Sequence, residues 1–205
     1  MKHFLNMEGP FYRFLTRFVE LIVLNCMFLL FCIPIFTIGA STTALYSVTL
    51  KMVRNEEGVV YSCFFQAFKK NFKQSTSIWI LLLFAGIIIL LDYLYLKLYD
   101  GNFTLLIIFS LFFFTFIYLL LTILIFPYVA RFENTIRESV VNALKIAVTN
   151  PFQTIPVLIF SIGPVLLIFL SPHFFLVALY LSIFLGFSLV AYLNSFLFRN
   201  IYEKY

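Results

Sequence analysis

The stretch "CIPIFTIGASTTALYSVTLKMV", residues 32–53, follows a long apolar segment at the point where a chain leaving a membrane should turn polar. It stays apolar as far as Lys51. Either the chain leaves the membrane near Thr37 and stays out, or it reverses between Ile33 and Gly39 and returns at once. The 17 residues of 37–53 reach only about 25 Å as a helix, short of the ~20 residues that cross a hydrocarbon layer. Length alone does not choose.

The surroundings place the question inside a membrane. Of 205 residues, 63% are hydrophobic and 11% charged, and 29 are Phe. An ordinary globular domain is about half apolar and about a quarter charged, so a soluble fold has nowhere to bury this chain. The expected class is all-α, a polytopic membrane helix bundle in one membrane domain over 1–205. Five apolar runs, 18–36, 78–98, 103–129, 155–170 and 174–198, are read as long spans. The first is read as a retained helix and not a cleaved signal. Cys26, Cys32 and Cys63 form an odd set and imply no disulfide framework.

Charge resolves the opening stretch. With five spans only, the Lys and Arg residues divide 10 to 4 between the two sides of the membrane. If 37–53 returns as a sixth, short helix, the division becomes 13 to 1, with Lys97 alone opposite. Cytoplasmic loops collect Lys and Arg, so the sixth segment is favoured and both termini are expected in the cytoplasm. In that reading Pro34 ends the first span by removing a backbone donor, Gly39 permits a tight reversal, and Ser41 caps the returning helix. A helix lying flat at the interface is the alternative for 37–53.

Two cytoplasmic amphipathic helices are expected between spans. One, over 58–70, carries the stripe Val59, Cys63, Ala67 and Phe68; the other carries Ile136, Val140, Leu144 and Ala147. The chain thus divides into a hairpin (1–55) and two blocks (58–130 and 134–198), each an amphipathic helix plus two spans. The blocks resemble copies, since Asn71, Gln74 and Ser75 align with Asn150, Gln153 and Thr154. Both asparagines are expected where a helix starts into the bilayer, satisfying free backbone donors.

No constellation for catalysis is visible, so the chain is read as non-enzymatic. His3 and His173 fall on opposite sides of the six-segment arrangement, which excludes a His-based metal or nucleophilic site, and no phosphate-binding glycine loop occurs. No cofactor is expected. The basic residues adjoin spans, where topology explains them without nucleic acid. Four polar groups lie at membrane depth: Glu20, Asn25, Asp92 and Asn194. Arg17 stands three residues before Glu20 as its natural partner, and the asparagines suit helix-to-helix hydrogen bonds.

The run "LLFCIPIFTIGASTTALYSVTLKMVRNEEG" with "FFQAFKKNFKQSTSIW" resembles the YesL-type family of small bacterial integral membrane proteins. The resemblance rests on the turn residues Pro34, Thr37, Gly39, Ala40 and Ser41, on Leu45 and Tyr46, on Lys51, Arg54, Glu56, Glu57 and Gly58, and on Phe68, Lys69, Asn71, Phe72, Lys73 and Gln74. "NALKIAVTNP" is similar to the family's second, weaker motif. The resemblance implies a protein of unknown biochemical function in the plasma membrane of a Gram-positive-type bacterium, encoded near carbohydrate uptake genes. It implies an accessory subunit of a sugar ABC importer or of its sensor, and brings no catalytic residues. The expected docking set is Lys51, Arg54, Glu56, Glu57, Lys69, Asn71, Phe72, Lys73 and Gln74. The competing reading is a small-molecule transporter, acting alone or as a homo-oligomer, with a cavity lined by Glu20, Asn25, Asp92 and Asn194.

Overall fold

The structure, a computed structural model, describes residues 10–56, 58–99, 101, 103–170 and 172–203. Among them the elements are all helical. The order is α1 (Pro10–Cys32), a 3₁₀ turn (Ile35–Thr37), α2 (Ile38–Val53), α3 (Val60–Leu96), α4 (Thr104–Arg131), α5 (Ile136–Thr149), α6 (Pro151–Leu170), α7 (Pro172–Leu181), a π-helical turn (Ser182–Gly186) and α8 (Phe187–Tyr202). Four helices are long and apolar enough to cross a membrane, and five if the bent α5–α6 pair counts as one span. The chain is a multi-pass membrane bundle in that sense.

The opening stretch forms the centre of this bundle. Of the 16 residues of α2, 13 are buried, and α2 packs on α1, α3, α4 and α8. A helix lying flat on a membrane would expose one side, whereas α2 is covered by its neighbours on almost every side. The small residues Gly39, Ala40, Ser41, Thr43 and Ala44 let its neighbours approach closely, as interfaces between membrane helices require. Their hydroxyls tie helices together: Ser41 donates to the Phe28 carbonyl at 3.0 Å, Thr43 and Ser75 share a 2.8 Å bond, and Ser195 donates to Thr49 at 2.8 Å.

Two assignments for the reversal are corrected. Ser41 is no cap, because α2 already begins at Ile38, and Gly39 is not a turn residue but a helical one. Gly39 is required for closeness: a Cβ there would stand 2.5 Å from the Ser75 carbonyl oxygen and 2.6 Å from Trp79 Cβ. The reversal itself is made by Pro34 and Thr37. Pro34 has an extended backbone (ψ 118°), and the Thr37 hydroxyl lies 2.6 Å from the carbonyl oxygens of both Phe31 and Pro34.

That reversal is apolar, with Ile33 75% and Ile35 67% exposed. Trp79 Nε1 donates to the Ile35 carbonyl at 2.8 Å, which sets the turn level with the middle of α3. Seventeen more residues carry α3 on to Leu96, about 25 Å further. Along that stretch Tyr93 bonds Thr115 of α4, and most apolar side chains of both helices face outward. The α1–α2 hairpin therefore runs only partway along the α3–α4 pair. Arg17 of α1 donates to the Asn55 side chain at 3.1 Å, so the start of α1 and the end of α2 lie at the same end of the bundle.

The amphipathic stretch 58–70 and the span 78–98 are not separate elements. They form the single 37-residue α3, about 55 Å long, and Asn71 sits mid-helix with its amide donating to the Ala67 carbonyl. Its counterpart Asn150 does end a helix, since α5 and α6 meet there at a 107° bend. The difference lies in the next residue. Pro151 disfavours helical backbone at Asn150, whereas Phe72 lets α3 continue. The two aligned blocks therefore fold differently. In α5 the buried side is Ser139, Ala143, Ile146 and Ala147, rotated slightly from the expected stripe, and Val59 of the other stripe is exposed.

Gly39→Ala is expected to destabilise the bundle by about 1–3 kcal/mol, as overpacking does in tight cores. A lowered thermal unfolding midpoint of the purified chain in detergent measures this, and an unchanged midpoint contradicts the close packing.

Candidate functional site

The charged ends of α2, α3 and α4 converge. Lys51 and Arg54 close α2, Lys70 and Asn71 lie on α3, and Arg131 to Glu133 end α4. Between them is a cavity of about 390 Å³, also lined by Ser47, Cys63 and Gln66. Arg199 and Glu203 of α8 adjoin it through Arg54 and Arg131. Three ion pairs lie in the region: Arg54 with Glu56 at 3.3 Å and Arg199 with Glu203 at 2.7 Å are local, and Lys70 with Glu133 joins α3 to the end of α4. Burial, and then the neighbouring Arg131, push the Arg54 guanidinium below its ordinary value, while the bond from Lys70 holds the Glu133 carboxyl below its own.

The start of α5 braces this end. Thr135 and Glu138 form a reciprocal capping box, legible in the sequence as Thr-x-x-Glu. Bonds from the Thr135 backbone and hydroxyl hold the Glu138 carboxyl low. Gln74 donates to the Asn134 carbonyl at 2.8 Å and so fixes α5 to α3, and Asn134 and Asn142 both donate to the Tyr128 hydroxyl.

The expected docking set is divided by the fold. Lys51, Arg54 and Asn71 line the cavity, and Glu56 pairs with Arg54. Phe72 packs on Phe68, Gln74 is committed to α5, and Glu57 lies outside the described residues. Lys69 and Lys73 are exposed on a different side of α3, in one row with Tyr61 and Phe65, 63% and 43% exposed. Lys69 Nζ lies 4.4 Å from the Phe65 ring centroid, a cation–π contact. Sequence reasoning missed Lys70, Arg131 and Glu133 as cavity residues. Their shared end was readable from the charge division, but the meeting of α3 and α4 beside α2 depends on packing.

Of the turn residues, Thr37, Gly39, Ala40 and Ser41 are buried in the packing of α2, while Pro34 is exposed at the reversal. The four intramembrane polar groups are not brought together. Glu20 pairs with Arg17 at 3.2 Å, as the spacing predicts. Asn25 is fully buried; its amide donates to the carbonyls of Ser182 and Ile183 and its oxygen accepts from the Ser188 backbone, which satisfies the groups freed by the π turn. Asn194 donates to Ser161 at 2.9 Å and more weakly to Tyr46. Asp92 is exposed near the far end of α3. Neither described cavity is lined by any of the four. No group of three metal-ligating side chains occurs among the described residues.

Residues 21–93 match the family described as Protein of unknown function, DUF624. The matched segment is similar to that family over the second half of α1, all of α2 and most of α3. It therefore covers two of the cavity's three walls and the exposed row on α3. No curated protein and no solved structure matches the chain.

Asn25→Leu strands three backbone groups at the π turn. With each buried unsatisfied group costing about 1–3 kcal/mol, it is expected to lower the unfolding midpoint sharply. Asp92→Asn, on an exposed position, is expected to leave it unchanged. Equal effects of the two substitutions in the same detergent assay contradict this division of roles.

Proposed function

We propose that the chain is a non-enzymatic interaction subunit of a bacterial plasma membrane, which holds a partner protein through the exposed row Tyr61, Phe65, Lys69 and Lys73 on α3. The observation that carries this is the exposure of two aromatic rings beside two lysines that form no ion pair among the described residues, at the charged end of the bundle. Aromatic and long basic side chains together make an amphipathic strip that fits an acidic, partly apolar partner segment. The rest of α3 is engaged with α1, α2 and α4, and although the Phe65 ring meets that of Phe31 at 6.2 Å, the row remains the exposed side at this end. That the partner belongs to a sugar ABC importer or its sensor rests on the family resemblance alone.

The transporter reading has less support, because Glu20, Asn25, Asp92 and Asn194 are each occupied or exposed at separate places. A homo-oligomer is one outcome of the partner test, recognised by recovery of a differently tagged copy of the same chain.

Co-purification of the tagged chain from its own cells with Lys69→Glu and Lys73→Glu tests the docking row. Charge reversal is expected to deplete the recovered partner at least about tenfold, on the scale of two lost charge contacts; an unchanged partner list overturns the reading.

Orientation is proposed from the 13 to 1 charge division. In a chain with Cys26, Cys32 and Cys63 replaced, cysteine at Lys97 is expected to react with an impermeant maleimide on intact cells, and cysteine at Lys73 is not. The reverse pattern overturns a cytoplasmic docking row.

A further inference from the structure

We propose that the cavity between α2, α3 and α4 is a binding site for a phosphate-type oxyanion attached to a small organic group, as in a soluble phosphate ester or the headgroup of an anionic phospholipid. The site lies on the side of α3 opposite the docking row, with Cys63, Ala67 and Lys70 facing it where Tyr61, Phe65 and Lys69 face away. It does not rest on the docking reading.

Charge is the first argument. Lys51, Arg54, Lys70, Arg131 and Arg199 gather around the cavity and its small neighbour, against the carboxylates Glu56, Glu133 and Glu203. Each carboxylate has one cation for a partner. Lys51 and Arg131 make no ion pair among the described residues, which leaves two positive charges facing one concave space. A phosphate monoester carries about −1.5 to −2 near pH 7 and balances both charges, whereas a phospholipid diester, with one negative charge, balances one of them. Glu56 and Glu203 offset the repulsion of Arg54 by Arg131 and Arg199 only in part, since Arg131 has no carboxylate of its own among the described residues.

Chemistry and size narrow the class. Guanidinium groups present planar pairs of donors that match phosphate oxygens, and the lysines add point charges. At about 390 Å³ the cavity is of small-molecule size. A bare phosphate, a few water volumes at about 30 Å³ each, leaves most of it unfilled. The remaining polar wall is Ser47, Gln66 and Asn71, whose side chains donate to Ala130, Ser62 and Ala67 and keep their oxygens to accept from hydroxyls of an organic group. Walls from three helices suit an inserted group better than a flat protein surface.

The test uses the purified full chain in an uncharged detergent, with inorganic phosphate added at constant ionic strength. Phosphate at about 10 mM is expected to raise the unfolding midpoint by a few degrees, since a ligand that binds only the folded state stabilises it, and matched chloride is not. Lys51→Gln and Arg131→Gln, both at exposed positions, are each expected to weaken the response and together to weaken it at least tenfold in phosphate concentration. Lys97→Gln at the far end is expected to leave the response intact. Without phosphate the double variant should be at least as stable as the parent, since a repulsion is relieved.

Lipid nanodiscs separate the sources. If phosphate stabilises the chain equally in phosphatidylcholine discs and in discs containing phosphatidylglycerol, the occupant is a soluble phosphate ester. If phosphatidylglycerol stabilises the chain and removes the effect of phosphate, the occupant is a lipid headgroup. No stabilisation by either probe, or a double variant that responds like the parent, overturns the proposal.

Discussion

The contact of Gly39 with the Ser75 carbonyl and Trp79 Cβ is the interaction on which the rest of the structure depends. In a membrane, lipid tails are as apolar as any core, so helices associate through close packing and interhelical hydrogen bonds rather than through expulsion of water. Gly39 makes that closeness available at the start of α2. Closeness there permits the Thr43–Ser75 bond one turn further along and aims Trp79 at the Ile35 carbonyl. With α2 held against α3 in this register, Lys51 and Arg54 come to lie opposite Gln66 and Lys70. The cavity at the charged end is thus a consequence of small residues at the apolar end.

Much of this was legible in the sequence, for identifiable reasons. The spans follow from runs of apolar residues, the Arg17–Glu20 pair follows from its spacing, and the return of α2 follows from the charge division. What the pattern concealed was the difference between a helix that returns at the surface and one buried on every side. Serine and threonine read as polar in a sequence, yet in α2 they are the residues that bond neighbouring helices. Ser41 fits a helix cap by its residue type, and in the fold it is a buried donor to the Phe28 carbonyl instead. The break between α5 and α6 was present in the sequence as Pro151, and the unbroken α3 as Phe72, although the two segments otherwise align. The cavity's third wall was not legible, because the place where Arg131 arrives is set by how α4 packs.

The charge division required only that the chain come back to its starting end. Arg17 bonded to Asn55 meets that requirement, although the reversal at Ile33–Thr37 reaches only the middle of α3. An apolar reversal with exposed Ile33 and Ile35 is at home in hydrocarbon if its backbone is satisfied. Here the carbonyls of Phe31, Pro34 and Ile35 all accept bonds from Thr37 or Trp79. The sequence feature that looked like a loop of the wrong polarity is therefore a turn built to avoid water.

α3 carries the remaining functional logic. It is a single helix whose first half presents the exposed aromatic and basic row on one side and a cavity wall on the other, and whose second half pairs with α4 beyond the rest of the bundle. A helix of this length is stiff across its width, so the two sides cannot move independently. An anion drawn between Lys51, Lys70 and Arg131 would pull α3 toward α2 and α4, and the row of Tyr61, Phe65, Lys69 and Lys73 would move with it. Coupling of such a ligand to a partner on the exposed row would need no pathway of side chains, because the cavity wall and the row are two sides of one helix.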